Sequence, residues 1–133
     1  MKYYAIIFSF CVLLFACSRE QAPDNKGVGA VTKVELSPVI DADMVNNGRI
    51  MYETKCRGCH ALTDEMEVGP GWKGITKRRT PEWIMNMITN VNVMLVEDPD
   101  AQALLDNCFT RMPNQKTSFA DARHILEFMR SLE

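Results

Sequence analysis

The sequence predicts an all-α domain. Apolar residues recur at helical rather than alternating spacing, several helix starts are written in capping residues, and no run alternates long enough for a convincing strand. The first helix can start at Asp41 or Asp43 and run to about Lys55, with Met44, Val45, Ile50, Met51 and Tyr52 as its apolar positions. Thr80-Pro81-Glu82 is a strong second start: a hydroxyl cap, proline at the first helical position and an acid in the first turn. Trp83, Ile84, Met87 and Ile88 follow at helical spacing. Asp98-Pro99-Asp100 repeats the device before Ala101, Leu104, Leu105 and Cys108. Ser118, three residues before Asp121, opens a last helix with Ala122, Ile125, Leu126, Met129 and Leu132 on one face. Residues 91–96 come nearest to a strand and have no obvious partner. Four short helices are expected.

The chain has 133 residues, a formal net charge of −2, 47% apolar and 24% charged residues, five cysteines and nine methionines. That length fits one small domain. The slightly acidic balance gives no basic footprint for nucleic acid. So many methionines either fill an irregular core around something bulky or include a ligand.

The N-terminus reads as a targeting segment. Lys2 is a short positive region, and residues 5–16 are an almost unbroken apolar run before Cys17. That run is shorter than the roughly 20 residues a membrane-crossing helix needs. Leu14-Phe15-Ala16-Cys17 resembles the lipobox of bacterial lipoproteins, in which the cysteine is lipidated and becomes the first mature residue. Phe15 departs from the small or polar residue usual there. The alternatives are an ordinary cysteine near a plain cleavage site, or a segment retained as an anchor. Cleavage before Cys17 removes Lys2 and no acid, leaving 14 basic against 17 acidic residues, a net −3. Export also places the remaining cysteines in an oxidising compartment.

The expected division is a signal peptide over 1–16, a lipidated cysteine and flexible tether over 17–38, and a folded domain over 39–133. Pro23, Asp24, Asn25, Gly27 and Gly29 give the tether its composition. About 20 flexible residues have an r.m.s. span of roughly 25 Å. The domain is small enough to need help from a disulfide, a metal or a cofactor.

Residues 56–60 supply that help: Cys56-Arg57-Gly58-Cys59-His60 has the spacing of c-type haem attachment. Each thiol can add to one vinyl group of a single haem, and the adjoining histidine then lies beneath the iron. A zinc site would need two more ligands and has only Cys108 and His124 left to draw on. A thioredoxin-like pair would expect a βαβ pattern, and a plain disulfide would leave His60 unexplained.

With these residues the domain resembles the small monohaem class I cytochrome c family over nearly its whole length. The family carries a glycine and an aromatic eight and four residues before the first haem cysteine, here Gly48 and Tyr52. The resemblance implies that the first and last helices cross at that glycine, around one covalently attached haem c. Gly69-Pro70-Gly71-Trp72-Lys73-Gly74 is similar to the family's Gly-Pro-x-Leu-x-Gly segment, with Trp72 where leucine is commoner. Pro70 would then offer its carbonyl to His60 Nδ1, and Trp72 would pack on the haem edge or donate to a propionate. Met112, followed by Pro113, matches the family's axial methionine, with Met94 and His124 as alternatives.

Val68, Ile75, Ile88, Leu104 and Leu105 are the expected apolar lining of the haem pocket. Cys108 reads as a small buried apolar residue, and Lys77, Arg78 and Arg79 as solvated surface, a propionate site or a docking patch. The function implied is an electron carrier without catalysis of its own, tethered in the periplasm to a bacterial membrane and monomeric. Its partners would be a quinol-oxidising donor and a terminal oxidase or reductase, a nitrous-oxide reductase being one such acceptor. The alternatives are a haem-based sensor, a haem subunit of a larger enzyme, and a zinc-stabilised interaction module.

Overall fold

The computed structural model describes residues 25–133, and the expected signal peptide and lipidated Cys17 lie outside them. Among the described residues there are six α-helices and no strand. Helix α1 spans Ala42–Met51, and the side chain of Asp41 caps it by accepting from the amides of Asp43 and Met44. A single π-helical turn, Tyr52–Cys56, continues it, so the expected helix to Lys55 changes its winding midway. Helices α2 (Ile75–Arg78), α3 (Pro81–Thr89), α4 (Val91–Glu97), α5 (Pro99–Leu105) and α6 (Phe119–Arg130) follow.

The capping residues act as expected. Thr80, Asp98 and Ser118 accept from the amides of Trp83, Ala101 and Asp121 at the starts of α3, α5 and α6. Ser118 Oγ also donates to Asp121 Oδ2 at 2.9 Å, which closes that cap. Two helices go beyond the expected four. Residues 91–96, the nearest approach to a strand, are helical because Val91, Met94 and Leu95 place their buried side chains at i, i+3 and i+4. Helix α2 is one turn long and buries only Ile75, too short to print a period.

Helices α1 and α6 cross at Gly48. A Cβ built there would lie 2.1 Å from the carbonyl oxygen of His124 and 2.8 Å from Phe128 Cβ. Only a residue without a side chain lets the two backbones approach so closely. One turn on, the Tyr52 ring packs 5.7 Å from Phe128, and Ala122, Ile125, Leu126 and Met129 of α6 fill the core behind.

The described part of the expected tether is not free. Residues 25–36 form a strap across α3 and α4. Asn86, 0% exposed, holds it by three bonds: it accepts from the Val31 amide and donates to the carbonyls of Lys26 and Val31. Val31 is buried, the Val34 amide donates to Glu82, and Thr80 Oγ1 donates to the Asn25 carbonyl at 2.7 Å. The residues that follow it reach α6, where Arg130 donates to the Ser37 carbonyl and the Asp41 amide to Glu127. Folded structure thus starts at least 14 residues before the expected boundary at 39.

Glu127 is fully buried between Arg123 and Arg130. Burial alone would raise its carboxyl, but hydrogen bonds from Arg123, the Asp41 amide and Arg130 outweigh it and hold the group below the ordinary range. A depressed carboxyl contributes stability that is present above its unfolded pKa, about 4.3, and is lost as pH falls through the folded value. Glu127→Gln should therefore melt lower than the parent at pH 7, with the difference shrinking towards pH 3, as read by thermal unfolding across pH. Gly48→Ala would gain about 1 kcal/mol if helix propensity decided. The contact with His124 reverses that sign, and we expect a net loss of about 1–3 kcal/mol in denaturant unfolding.

Candidate haem site

The π turn ends at the first cysteine of the Cys56-x-x-Cys59-His60 motif. The Arg57 amide donates back to the Tyr52 carbonyl at 2.9 Å, and the amides of Cys59 and His60 both donate to the Cys56 carbonyl at 3.0 Å. This tight turn brings both thiols and the imidazole to the rim of one cleft. Tyr52 Oη donates to the His60 carbonyl at 2.8 Å and so ties the motif back to the α1–α6 crossing.

His60 is fixed from behind. Its Nδ1 lies 2.8 Å from the Pro70 carbonyl. A carbonyl only accepts, so the proton belongs on Nδ1 and the Nε2 lone pair is left free. Burial lowers the imidazole pKa, and the Pro70 bond opposes that without reversing it, so the ring is neutral at pH 7. Gly69 makes room for the ring, since a Cβ there would meet His60 Cε1 at 2.7 Å. Trp72 is buried with its ring 4.9 Å from Tyr52 and 5.7 Å from His60.

The cleft opens to solvent and is lined mostly by apolar side chains. All five expected lining residues, Val68, Ile75, Ile88, Leu104 and Leu105, face it. So does Met112, half-buried in the irregular stretch before α6. Met94 and His124 do not. Met94 is 0% exposed in α4, where its sulfur accepts from the Val28 amide of the strap. The stretch around it, for which the sequence predicts no helix, is helical.

Sequence reasoning missed Trp83, Ile84, Leu95 and Ala101 as lining residues, because it could assign them to a core but not to one wall of it. Cys108 also reaches the cleft; it is half-buried and its thiol donates to the Leu104 carbonyl at 3.2 Å. The run Lys77-Arg78-Arg79 is mostly engaged by the protein itself. Lys77 pairs with Glu133, Arg78 donates to the carbonyls of Lys73 and Gly71, and Arg79 pairs with Asp100.

An apolar slot with two free thiols at its rim and a histidine held in the ligating tautomer fits a covalently attached haem. Burial pushes the Cys56 thiol up to about 11, so it is neutral at pH 7. No group of three His, Cys, Asp or Glu side chains among the described residues could hold a metal ion, so the ligands for a zinc site are not assembled.

The fold and this site define a c-type haem protein of the small helical class. The cytochrome c family model matches residues 45–133, and the chain belongs to that family. It carries haem c through Cys56 and Cys59 and falls among the electron-transfer haem proteins. A cytochrome c from Rhodothermus marinus is 38% identical, with a TM-score of 0.75 over 78% of this chain and 89% of that one. An engineered cytochrome c from the same organism is 36% identical, with a TM-score of 0.74 over 78% and 90%. An engineered form bound to a carbene intermediate is 38% identical, with a TM-score of 0.71 over 78% and 89%. No curated protein matches the chain.

Proposed function

We propose that this cytochrome c is a monomeric, lipid-tethered periplasmic carrier that passes single electrons with His60 and Met112 as axial ligands and has no catalysis of its own. The observation that carries the reading is that both side chains line one apolar cleft beside the attachment cysteines, while Met94 and His124 lie outside it. The haem supplies the one-electron couple. The chain's residues do the rest. Pro70 keeps Nδ1 protonated and Nε2 available, a bond that also raises the ligand's basicity. Met112 would supply a thioether, which raises the potential relative to a second imidazole. Trp72 lines the same cleft, which suits packing on the haem edge or donation to a propionate.

The donor would be a quinol-oxidising complex and the acceptor a terminal oxidase or reductase. Anchoring would be through Cys17. The strap changes what that anchor allows, because seven residues separate Cys17 from Asn25. Those eight virtual bonds reach at most about 29 Å when fully extended. The head would therefore work close to the membrane surface rather than sweep a wide volume.

The visible spectrum of the matured protein tests the ligation. We expect a low-spin spectrum with a ferric thioether charge-transfer band that Met112→Ala abolishes. A band that survives the substitution sinks the assignment, and carbon monoxide binding to the reduced parent would favour a sensor or ligand-binding module. For the anchor, Cys17→Ser should move the cytochrome from the membrane fraction to the soluble periplasmic fraction; an unchanged distribution would reject lipidation.

A further inference from the structure

Trp83 lines the cleft with its ring and turns its polar edge into the protein. Its Nε1 donates at 2.9 Å to Oδ1 of Asp98, a carboxylate that is 2% exposed. The same Oδ1 accepts from the Ala101 amide at 2.8 Å, and Oδ2 accepts from Asn25 Nδ2 at 3.0 Å. All of these donors are neutral. Arg79, the cation of this corner, pairs with Asp100 at 3.2 Å and lies over the Trp83 ring at 4.9 Å. Asp98 has no ion-pair partner among the described residues.

Its cap of α5 does not require a charge. Thr80 and Ser118 cap α3 and α6 in the same domain with neutral hydroxyls. Burial would raise the Asp98 carboxyl, but the bonds from Trp83, Ala101 and Asn25 prevail and keep it below the ordinary range, hence ionised at neutral pH. A buried anion thus stands behind the indole that lines the cleft, with no charge opposite it.

We propose that the Asp98 carboxylate is a potential-setting charge, held against the haem wall by Trp83. Ferric haem carries one more positive charge than ferrous haem, so a nearby fixed anion stabilises the oxidised form and lowers the midpoint potential. Because the carboxylate is buried, salt screens it little. Asp98 does not line the cleft itself and would act by its field from behind Trp83. The proposal needs the attached haem but not the Met112 assignment, so the two can fail separately.

Redox titration of the matured holoprotein tests it. Asp98→Asn keeps an oxygen for Trp83 and Ala101 and keeps a good N-cap; it removes the charge and, with Oδ2, one acceptor of Asn25. We expect the midpoint to rise by the same amount at low and high salt, with the visible spectrum unchanged. Asp100→Asn removes a more exposed charge and should give a shift that high salt abolishes. Asp98→Ser, which retains a capping hydroxyl, carries the same expectation if the asparagine variant does not accumulate. A midpoint that stays put or falls, whatever happens to the melting temperature, overturns the proposal and leaves Asp98 a cap alone.

Discussion

The close approach of α1 and α6 at Gly48 is the constraint on which the site depends. With the His124 carbonyl 2.1 Å from where a Cβ would stand, α1 can be placed against α6 in only one register. That register sets Tyr52 on Phe128 and Trp72, and the Tyr52 hydroxyl on the His60 carbonyl. The haem-attachment motif is thus positioned from the helix crossing through one side chain. The π turn Tyr52–Cys56 adds a residue to the winding between crossing and motif, and such turns recur at functional sites because the extra residue re-aims the side chains beyond it.

Much of this arrangement was legible in the sequence because its signals are local. Thr80-Pro81, Asp98-Pro99 and Ser118 each mark a helix start within four residues, and Cys56 to His60 is a five-residue motif. Pro70 was legible for a different reason. Its role needs only a carbonyl at a fixed distance from His60 along the chain, and the family pattern supplies that spacing. Helix α4 was obscured because five of its seven residues are apolar or β-branched, so its helical period is hidden inside an apolar run.

The strap was illegible for a deeper reason. Glycine, proline and polar residues are the signature of a linker, and its partners stand 48 to 75 residues away in sequence. Gly27, at φ 71°, packs where a Cβ would fall 2.6 Å from Met94 Cε, so its glycine marks close packing rather than flexibility. Asn86 on α3 is equally misleading. Nothing local in the sequence marks its role, whereas in the fold it substitutes for a strand partner by bonding both sides of Val31.

The way the strap is held follows from what it lacks. Val31 is its one buried apolar side chain, too little to offset the entropy of ordering a dozen residues at about 1–2 kcal/mol each. The difference has to come from polar contacts, and several end on carboxylates: Val34 on Glu82, Asn25 on Asp98 and Asp100, and Asp41, just beyond the strap, on Glu127. Hydrogen bonds to an ionised acceptor are stronger than neutral ones, so a few can hold a segment that burial alone would release. The strap and the haem wall then share a fixing point. Asn25 at one side of Asp98 and Trp83 at the other couple the order of the N-terminal segment to the shape of the cofactor cleft, which makes the strap part of the site and not a leader to it.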